Sequence, residues 1–323
     1  MSPRGRDVPS RLSWRVTRRS VDQWLHQVNI RFEDTAVISH VEGEPVIKTE
    51  ALYGFGDWLR GRVRPEVTVR VLITRGGRRY KWIKLRACAD PEWRASLQDS
   101  HEALRTYAGR PGVPRLVHAD EEQIVVSWVE GKRLMKRDLG PATASDLGLF
   151  VGRNLLFPAA DRTADFAAKG RKALFGLLAH RLLSPNDADL IWRIIEVRAS
   201  RLAPQPVMIG FVDAALKNFI RTEDGQLHYI DVLGIATVSP PMLVAKYLLH
   251  CPKTSQVAFR TGFAIESGIE VSDEDIAIHQ FVHLLLKADA KQRKSGHLIR
   301  RALKRHQGLA SRDRLMEAAR QFT

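Results

Sequence analysis

The chain has 323 residues, with 51 lysines and arginines against 36 aspartates and glutamates, which gives a formal net charge of +15 at pH 7. Apolar residues make up 44% and charged residues 27%, which is ordinary globular usage and excludes a disordered basic tail protein. The surplus of positive charge therefore lies on a folded surface, and it indicates an anionic partner without indicating a fold.

The two cysteines, Cys88 and Cys251, are too few for a disulfide scaffold and favour a reducing compartment. No uninterrupted apolar stretch approaches the length of about 18 residues that spans a bilayer. The basic N-terminus lacks the apolar core of a secretory signal. We therefore expect a cytoplasmic protein, with peripheral contact to the anionic inner face of the membrane as an open alternative.

Residues 1–34 are predicted to form a basic arm that contains a short helix. Six arginines lie within the first twenty residues, and chain ends of this kind are seldom ordered unless they are tied down. Apolar residues at helical spacing then predict a helix over 20–30.

The clearest strand pattern lies at 67–87, where alternating apolar residues run up to Gly76-Gly77 and resume after it. Glycines supply the positive φ that a tight turn needs, so this pattern predicts a β-hairpin. The sequence then predicts one helix and two further strands, over 93–108, 113–119 and 123–129. Residues 35–130 are therefore predicted to form a strand-rich lobe with one helix.

After residue 140 the apolar spacing becomes helical. Thr143 or Ser145 is expected to cap the first helix, and Asn186 a later one. Helices are predicted over 143–157, 171–183, 187–202, 241–250, 273–290 and 297–320. A strand-rich island at 206–235 interrupts them. Residues 131–323 are therefore predicted to form a mainly helical lobe, which makes the chain an α+β protein.

The strand-rich island carries the residues that are suited to catalysis. Asp213 is followed five residues later by Asn218, and an apolar hairpin with an Asp224-Gly225 turn then leads to Asp231. The hairpin is expected to return the second carboxylate beside the asparagine. Asn218 and Asp231 offer the hard oxygen ligands that a phosphate-bound Mg²⁺ prefers. Asp213 is then free to orient a substrate hydroxyl and accept its proton.

This order of residues resembles the protein-kinase-like superfamily, most closely its aminoglycoside and sugar phosphotransferase branch and related bacterial lipopolysaccharide kinases. Asp213 and Asn218 match the catalytic-loop Asp-x4-Asn of that superfamily, and Asp231 matches its metal-binding aspartate. The resemblance covers roughly residues 65–250. It implies a bilobal kinase-like fold, with a small antiparallel sheet and one helix in the N-lobe and a mainly helical C-lobe.

The resemblance also implies roles for upstream residues. Lys84, at the end of an apolar strand, matches the lysine that contacts the α- and β-phosphates of ATP, and Glu102 matches its ion-pair partner. Backbone groups from Ser127 to Val129, in the hinge between the lobes, would face adenine. Lys217 matches a position that touches the transferring phosphate in many relatives, with simple solvation as the alternative.

Two departures from the family pattern leave alternatives open. The glycine loop that covers the phosphates is not recognisable, although Gly54 and Gly56 are candidates, as is Gly43. Trp82 stands where the family prefers a small residue against adenine. It either narrows the pocket or indicates that Lys81 takes the role matched to Lys84.

The favoured interpretation is an ATP- and Mg²⁺-dependent phosphotransferase that acts on a hydroxyl of a sugar or glycolipid such as lipopolysaccharide core. The net charge of +15 favours an anionic acceptor over a cationic aminoglycoside. The alternatives are a catalytically silent pseudokinase that acts as a binding or scaffold protein, and a basic nucleic-acid-binding protein. No metal cluster is expected.

A basic segment at 291–306 combines seven lysines and arginines with an apolar stripe on one predicted helix. This combination suits an anionic membrane surface or a polyanionic substrate, and a solvated face is the alternative.

His279 and His283 stand at the helical spacing of two metal ligands. The residues between them do not include the glutamate of the zinc-protease motif. We therefore interpret both histidines as structural or surface residues.

Overall fold

The structure is a computed structural model that describes residues 38–52, 66–86, 89, 91–157, 162–293 and 310–322. Three features predicted above lie outside these ranges: the basic arm and helix within 1–34, the candidate loop glycines Gly54 and Gly56, and residues 294–306 of the basic segment.

The N-lobe is an antiparallel sheet with a helix between its fourth and fifth strands. In spatial order its strands are β1 (His40–Val41), β2 (Glu44–Ala51), β3 (Val67–Thr74), β4 (Arg79–Leu85), β6 (Gln123–Ser127) and β5 (Leu116–Ala119). Helix α1 spans Pro91–Thr106. The predicted hairpin is confirmed, because β3 pairs with β4 and Gly77 in the turn has φ of 78°.

Alternation along β4 sends its side chains into two different cores. Ile83 belongs to the main core, which continues into the C-lobe, whereas Tyr80 and Trp82 pack into a smaller cluster on the other face of the sheet. Successive strand residues point to opposite faces. Lys81 therefore lies on the face of Ile83, and Lys84 lies on the face of Trp82.

The C-lobe is mainly helical. Its helices are α2 (Pro141–Arg153), α3 (Phe166–Ala179), α4 (Pro185–Val197), α5 (Pro240–Leu248), α6 (Gln256–Ser267), α7 (Asp273–Arg293) and α8 (310–320). Helices α2 and α6 approach closely, because a Cβ added at Gly148 would overlap the carbonyl oxygen of Phe259. None of the helices in the described ranges combines the length and apolar character that crossing a membrane requires.

Two of the predicted helix caps differ from the structure, and the helix predicted over 171–183 begins earlier, at Phe166. Gly140 caps α2, with Pro141 at its first position, so Thr143 and Ser145 lie inside the helix. Proline is favoured there because its φ is already helical. Ser184 caps α4 by accepting a hydrogen bond from the Asp187 backbone N–H at 3.1 Å, which makes the predicted Asn186 cap wrong.

Helix α6, over Gln256–Ser267, was not predicted from the sequence. The sequence pattern predicts helices over 241–250 and 273–290 with no element between them.

The predicted strand-rich island forms two small antiparallel sheets. Its strands are β10 (Met208–Phe211) with β13 (Ile235–Val238), and β12 (Leu227–Tyr229) with β11 (Phe219–Arg221) and β7 (Lys132–Arg133). A short pair, β8 (Thr163–Ala164) with β9 (Gln205–Pro206), lies before them. The loops at 212–218 and 230–234 both run between the two sheets, which brings their residues side by side.

Candidate active site

Asp213 lies in the loop between β10 and β11, which ends in a single helical turn over Leu216–Asn218. Its carboxylate Oδ1 accepts a hydrogen bond from the Ala215 backbone N–H at 3.1 Å. The buried Tyr229 hydroxyl lies 3.3 Å from the Asp213 carbonyl oxygen and 3.2 Å from that of Gly234. These contacts hold the loop from its core side. No described residue hydrogen-bonds the second carboxylate oxygen, which leaves it available to a substrate.

Asn218 lies between the two aspartates. Its side chain is 7% exposed, and its Nδ2 lies 3.4 Å from the Asp213 carbonyl oxygen and 3.4 Å from Asp231 Oδ2. The backbone N–H of Ile230 also donates to the Asn218 carbonyl oxygen at 2.8 Å. The structure therefore brings Asp213, Asn218 and Asp231 into one cluster.

The amide of Asn218 and the carboxylate of Asp231 form a donor set that fits Mg²⁺. This ion takes oxygen ligands and is usually held by one or two protein side chains, with the remaining positions left to phosphate oxygens and water. Asn218 is buried between the carbonyl oxygen of Asp213 and a carboxylate oxygen of Asp231, which limits the positions that its amide can take.

Lys81 reaches this cluster from the N-lobe. Its Nζ donates a hydrogen bond to the Ile230 carbonyl oxygen at 2.7 Å, one residue before Asp231. The side chain is 8% exposed, and burial lowers the pKa of Lys81. The charge of Asp231 opposes this shift, while Arg133 and Lys217 add to it. The charges of Asp231 and Lys217 therefore both act on the Lys81 ammonium.

Lys84 and Glu102 do not join the cluster of Asp213, Asn218 and Asp231. Lys84 is buried on the opposite face of β4, where it pairs in register with Gln123. Glu102 is exposed on α1, and in the part of the chain that the structure describes it forms an ion pair with neither Lys81 nor Lys84. The physical reason is strand alternation, since residues three apart on a strand face opposite sides. The roles of Lys84 and Glu102 stay predictions.

The hinge residues line a cavity of about 1250 Å³. Its lining includes Ser127 and Val129, the loop at 113–115 and the hairpin turn at 221–224, but not Lys81 or the Asp213 cluster. The Ser127 backbone N–H is committed to the Arg115 carbonyl oxygen at 2.9 Å. No hydrogen bond within the described ranges uses the backbone of Val129, so that its groups are available to a ligand.

Sequence reasoning missed two residues of α5 that support the loop carrying Asp213. The Tyr247 hydroxyl donates to the Phe211 carbonyl oxygen at 2.9 Å, and Lys246 Nζ donates to the Val212 carbonyl oxygen at 3.1 Å. Burial lowers the pKa of Lys246 to about 8, against the opposing charge of Asp213. The available signal was a lone lysine in the otherwise apolar helix PPMLVAKYL.

Neither a protein-family model nor a curated protein sequence matches the chain. Solved structures do match over nearly the whole chain. A protein assigned as a fructosamine-3-kinase from Thermobifida fusca has a TM-score of 0.61 at 16% identity, covering 87% of this chain and 94% of its own. Choline kinase LicA from Streptococcus pneumoniae has a TM-score of 0.60 at 14% identity, covering 92% and 99%.

An ADP-bound aminoglycoside phosphotransferase, APH(2'')-Ib, has a TM-score of 0.58 at 11% identity, covering 92% of this chain and 97% of its own. A further structure of LicA contains AMP. At these identities the likeness concerns the fold. It confirms the resemblance and the fold class inferred from the sequence. The chain has the bilobal protein-kinase-like fold, with an antiparallel sheet in its N-lobe and a mainly helical C-lobe.

Proposed function

We propose that the protein is an ATP- and Mg²⁺-dependent phosphotransferase that acts on an alcohol group. The observation that carries this proposal is the convergence of four charged or polar residues across the two lobes. Lys81 of the N-lobe bonds to the residue before Asp231, and Asn218 contacts both Asp231 and the backbone of Asp213.

The nucleotide would lie between the lobes. Solved structures of the same fold hold AMP or ADP, which supports nucleotide use here. Adenine would meet the free backbone groups of Val129, and Lys81 would contact the phosphates. A buried ammonium acts on a phosphate more strongly than an exposed one, since less water screens its charge. Lys217 would add positive charge beside the transferred group.

Asn218 and Asp231 would hold Mg²⁺. When bound, the ion would neutralise charge on the phosphate oxygens during transfer. The contribution of these residues is to present their amide and carboxylate side by side before the nucleotide arrives.

Asp213 would position the acceptor. Its second carboxylate oxygen would accept a hydrogen bond from the acceptor hydroxyl and then its proton. The hydroxyl oxygen would form the new bond to the γ-phosphorus while the bond to the ADP oxygen breaks. Catalysis of this kind depends mainly on positioning and on stabilising the developing charge.

The acceptor is proposed to be a sugar or a glycolipid such as lipopolysaccharide core. Proteins of this fold are named for hydroxyl-bearing small molecules, and the charge of +15 favours an anionic acceptor. Membrane contact through the basic segment at 291–306 stays a prediction, because nearly all of that segment lies outside the described residues.

The test combines nucleotide binding with an acceptor screen. ATP with Mg²⁺ should raise the melting temperature of the protein, and Asp231→Asn should remove most of that gain while the exposed control Asp189→Asn keeps it. Phosphate transfer from ATP should then be measured against sugars and lipopolysaccharide fragments. Failure to bind ATP with Mg²⁺ would contradict the proposal. Binding without transfer to any acceptor would favour the pseudokinase alternative.

A further inference from the structure

The side of the catalytic loop that faces α5 and α7 is basic. Lys246 lies on α5 and His250 follows one turn later, while His283 and Lys287 lie one turn apart on α7. The two helices are tied together at this level, because Gln280 Nε2 donates to the Ala245 carbonyl oxygen at 3.3 Å. We call Lys246, His250, His283 and Lys287 the basic wall.

The basic wall adjoins Asp213. Lys246 Nζ donates to the carbonyl oxygen of Val212, the residue before Asp213, at 3.1 Å. Asp213 also acts electrostatically on both Lys246 and His250. The wall therefore lies where an acceptor would stand when its hydroxyl reaches Asp213.

The members of the basic wall form one electrostatic unit. Burial lowers the pKa of His283 to about 3, and the charges of Lys246, Lys287 and His250 act in the same direction. The pKa of His250 is lowered by burial and by Lys287, with Asp213 opposing. Both imidazoles are therefore uncharged at neutral pH, and Lys246 and Lys287 carry the positive charge of the wall.

Few acidic charges act on Lys246 and the two histidines. Among the described residues, Asp213 is the one carboxylate whose charge acts on Lys246, His250 or His283. Two exposed lysines, Lys169 and Lys136, add further positive charge to Lys246 and His250. A cationic acceptor such as choline or an aminoglycoside would be repelled by such a surface.

Lys246 also has unused hydrogen-bonding capacity. An ammonium group has three donors, and one is directed at the Val212 carbonyl oxygen. A largely buried positive charge without a paired carboxylate is unfavourable unless an anion or further acceptors reach it. An anionic group of the acceptor would supply both.

We propose that the basic wall binds a phosphate or carboxylate group of the acceptor, with Lys246 deep in the site and Lys287 at its opening, while the acceptor hydroxyl faces Asp213. This inference rests on the proposed phosphotransferase function and names its substrate class as an anionic sugar or glycolipid. It separates this protein from kinases of the same fold that are named for cationic acceptors.

The test follows the imidazole NMR signals of His250 and His283, with sodium sulfate as the probe and chloride keeping the ionic strength constant. The titration is run on the full chain with and without the ATP analogue AMP-PNP and Mg²⁺. Both signals should shift saturably with sulfate. Lys287→Gln should weaken the apparent affinity about tenfold, which is the effect of losing one charged hydrogen bond.

Lys287 is exposed, so that its substitution should leave the fold intact even if Lys246→Met does not. Lys48 is exposed on β2 and is not part of the basic wall. Lys48→Gln removes the same charge there and should leave sulfate binding unchanged. Parallel titrations with glucose, glucuronate and glucose 6-phosphate distinguish an uncharged sugar, a carboxylate and a phosphate.

Several results would overturn the inference: no saturable shift at either histidine, an equal loss in Lys48→Gln, or shifts caused by choline chloride and not by sulfate. Failure of the proposed function looks different. ATP with Mg²⁺ would then fail to stabilise the protein, while the histidine titration, which also runs without nucleotide, would still report whether the wall binds anions.

Discussion

The ammonium of Lys81 and the carbonyl oxygen of Ile230 lie 2.7 Å apart, although 149 residues separate them in the chain. This hydrogen bond connects β4 of the N-lobe to the residue immediately before Asp231. Lys84, on the same strand, is equally buried but faces the other side of the sheet with Trp82. The two lysines of this strand therefore have different surroundings, and Lys81 is the one that meets the cluster of Asp213, Asn218 and Asp231.

Substitution of these two lysines should have unequal effects. Lys81→Met is expected to lower kcat/KM for ATP by about a hundredfold, because it removes a positive group aimed at the phosphates. Lys84→Met should lower it by less than about threefold. Steady-state kinetics of both variants provides the measurement. A larger loss of kcat/KM in Lys84→Met than in Lys81→Met would indicate that Lys84 contacts the phosphates.

Asp213→Asn should separate catalysis from nucleotide binding. An asparagine keeps the shape of the loop but cannot accept the hydroxyl proton, so we expect kcat to fall by roughly a hundredfold or more. The dissociation constant for ATP, measured by calorimetry, should remain within about twofold of the wild-type value. If kcat is unchanged, Asp213 is not the proton acceptor.

Lys246 should make stability depend on pH. Its pKa is lowered from 10.5 to about 8 in the folded protein by burial, with Asp213 opposing and Lys169 adding to the shift. Between these two values the unfolded chain holds the proton that the folded protein has lost. The unfolded state then binds more protons, so this residue makes the free energy of unfolding rise with pH across that window.

This rise in the free energy of unfolding with pH should be absent from Lys246→Met. Urea unfolding at about pH 7.5 and about pH 10 should show wild-type protein gaining stability relative to this variant as pH rises. Lys48→Met, at an exposed site, should follow the wild type. A constant difference between wild type and Lys246→Met at both pH values would contradict the lowered pKa.

Two glycine-to-alanine substitutions should have different effects on stability. Gly148→Ala places a methyl group against the Phe259 carbonyl oxygen at the contact between α2 and α6, and we expect a loss of about 1–3 kcal/mol in the free energy of unfolding. Gly170→Ala, inside α3, meets Ile195 only at 3.5 Å, an ordinary contact. It should be neutral or stabilising by up to about 1 kcal/mol, because alanine favours the helix.

Urea denaturation of the two glycine variants provides the measurement. Equal destabilisation by both would mean that the close approach of α2 and α6 is not the cause.

Much of the fold could be predicted from local sequence patterns. The β3–β4 hairpin was predictable because alternation and a glycine turn are properties of adjacent residues. Helix starts were predicted less well, since several candidate caps compete within a few residues. Ser184 prevailed over Asn186 because a proline follows it and Asp187 completes a reciprocal pair of hydrogen bonds.

The spacing of Asp213, Asn218 and Asp231 could be read from the sequence because one short hairpin connects them. By contrast, choosing between Lys81 and Lys84 depended on which face of β4 meets the C-lobe, and the basic wall depended on the packing of α7 against α5. The sequence alone determined the fold class and the spacing of Asp213, Asn218 and Asp231, because those follow from neighbours in the chain. The tertiary structure decided which lysine reaches Asp231 and which charges surround Asp213, because those contacts join residues that are distant in the chain.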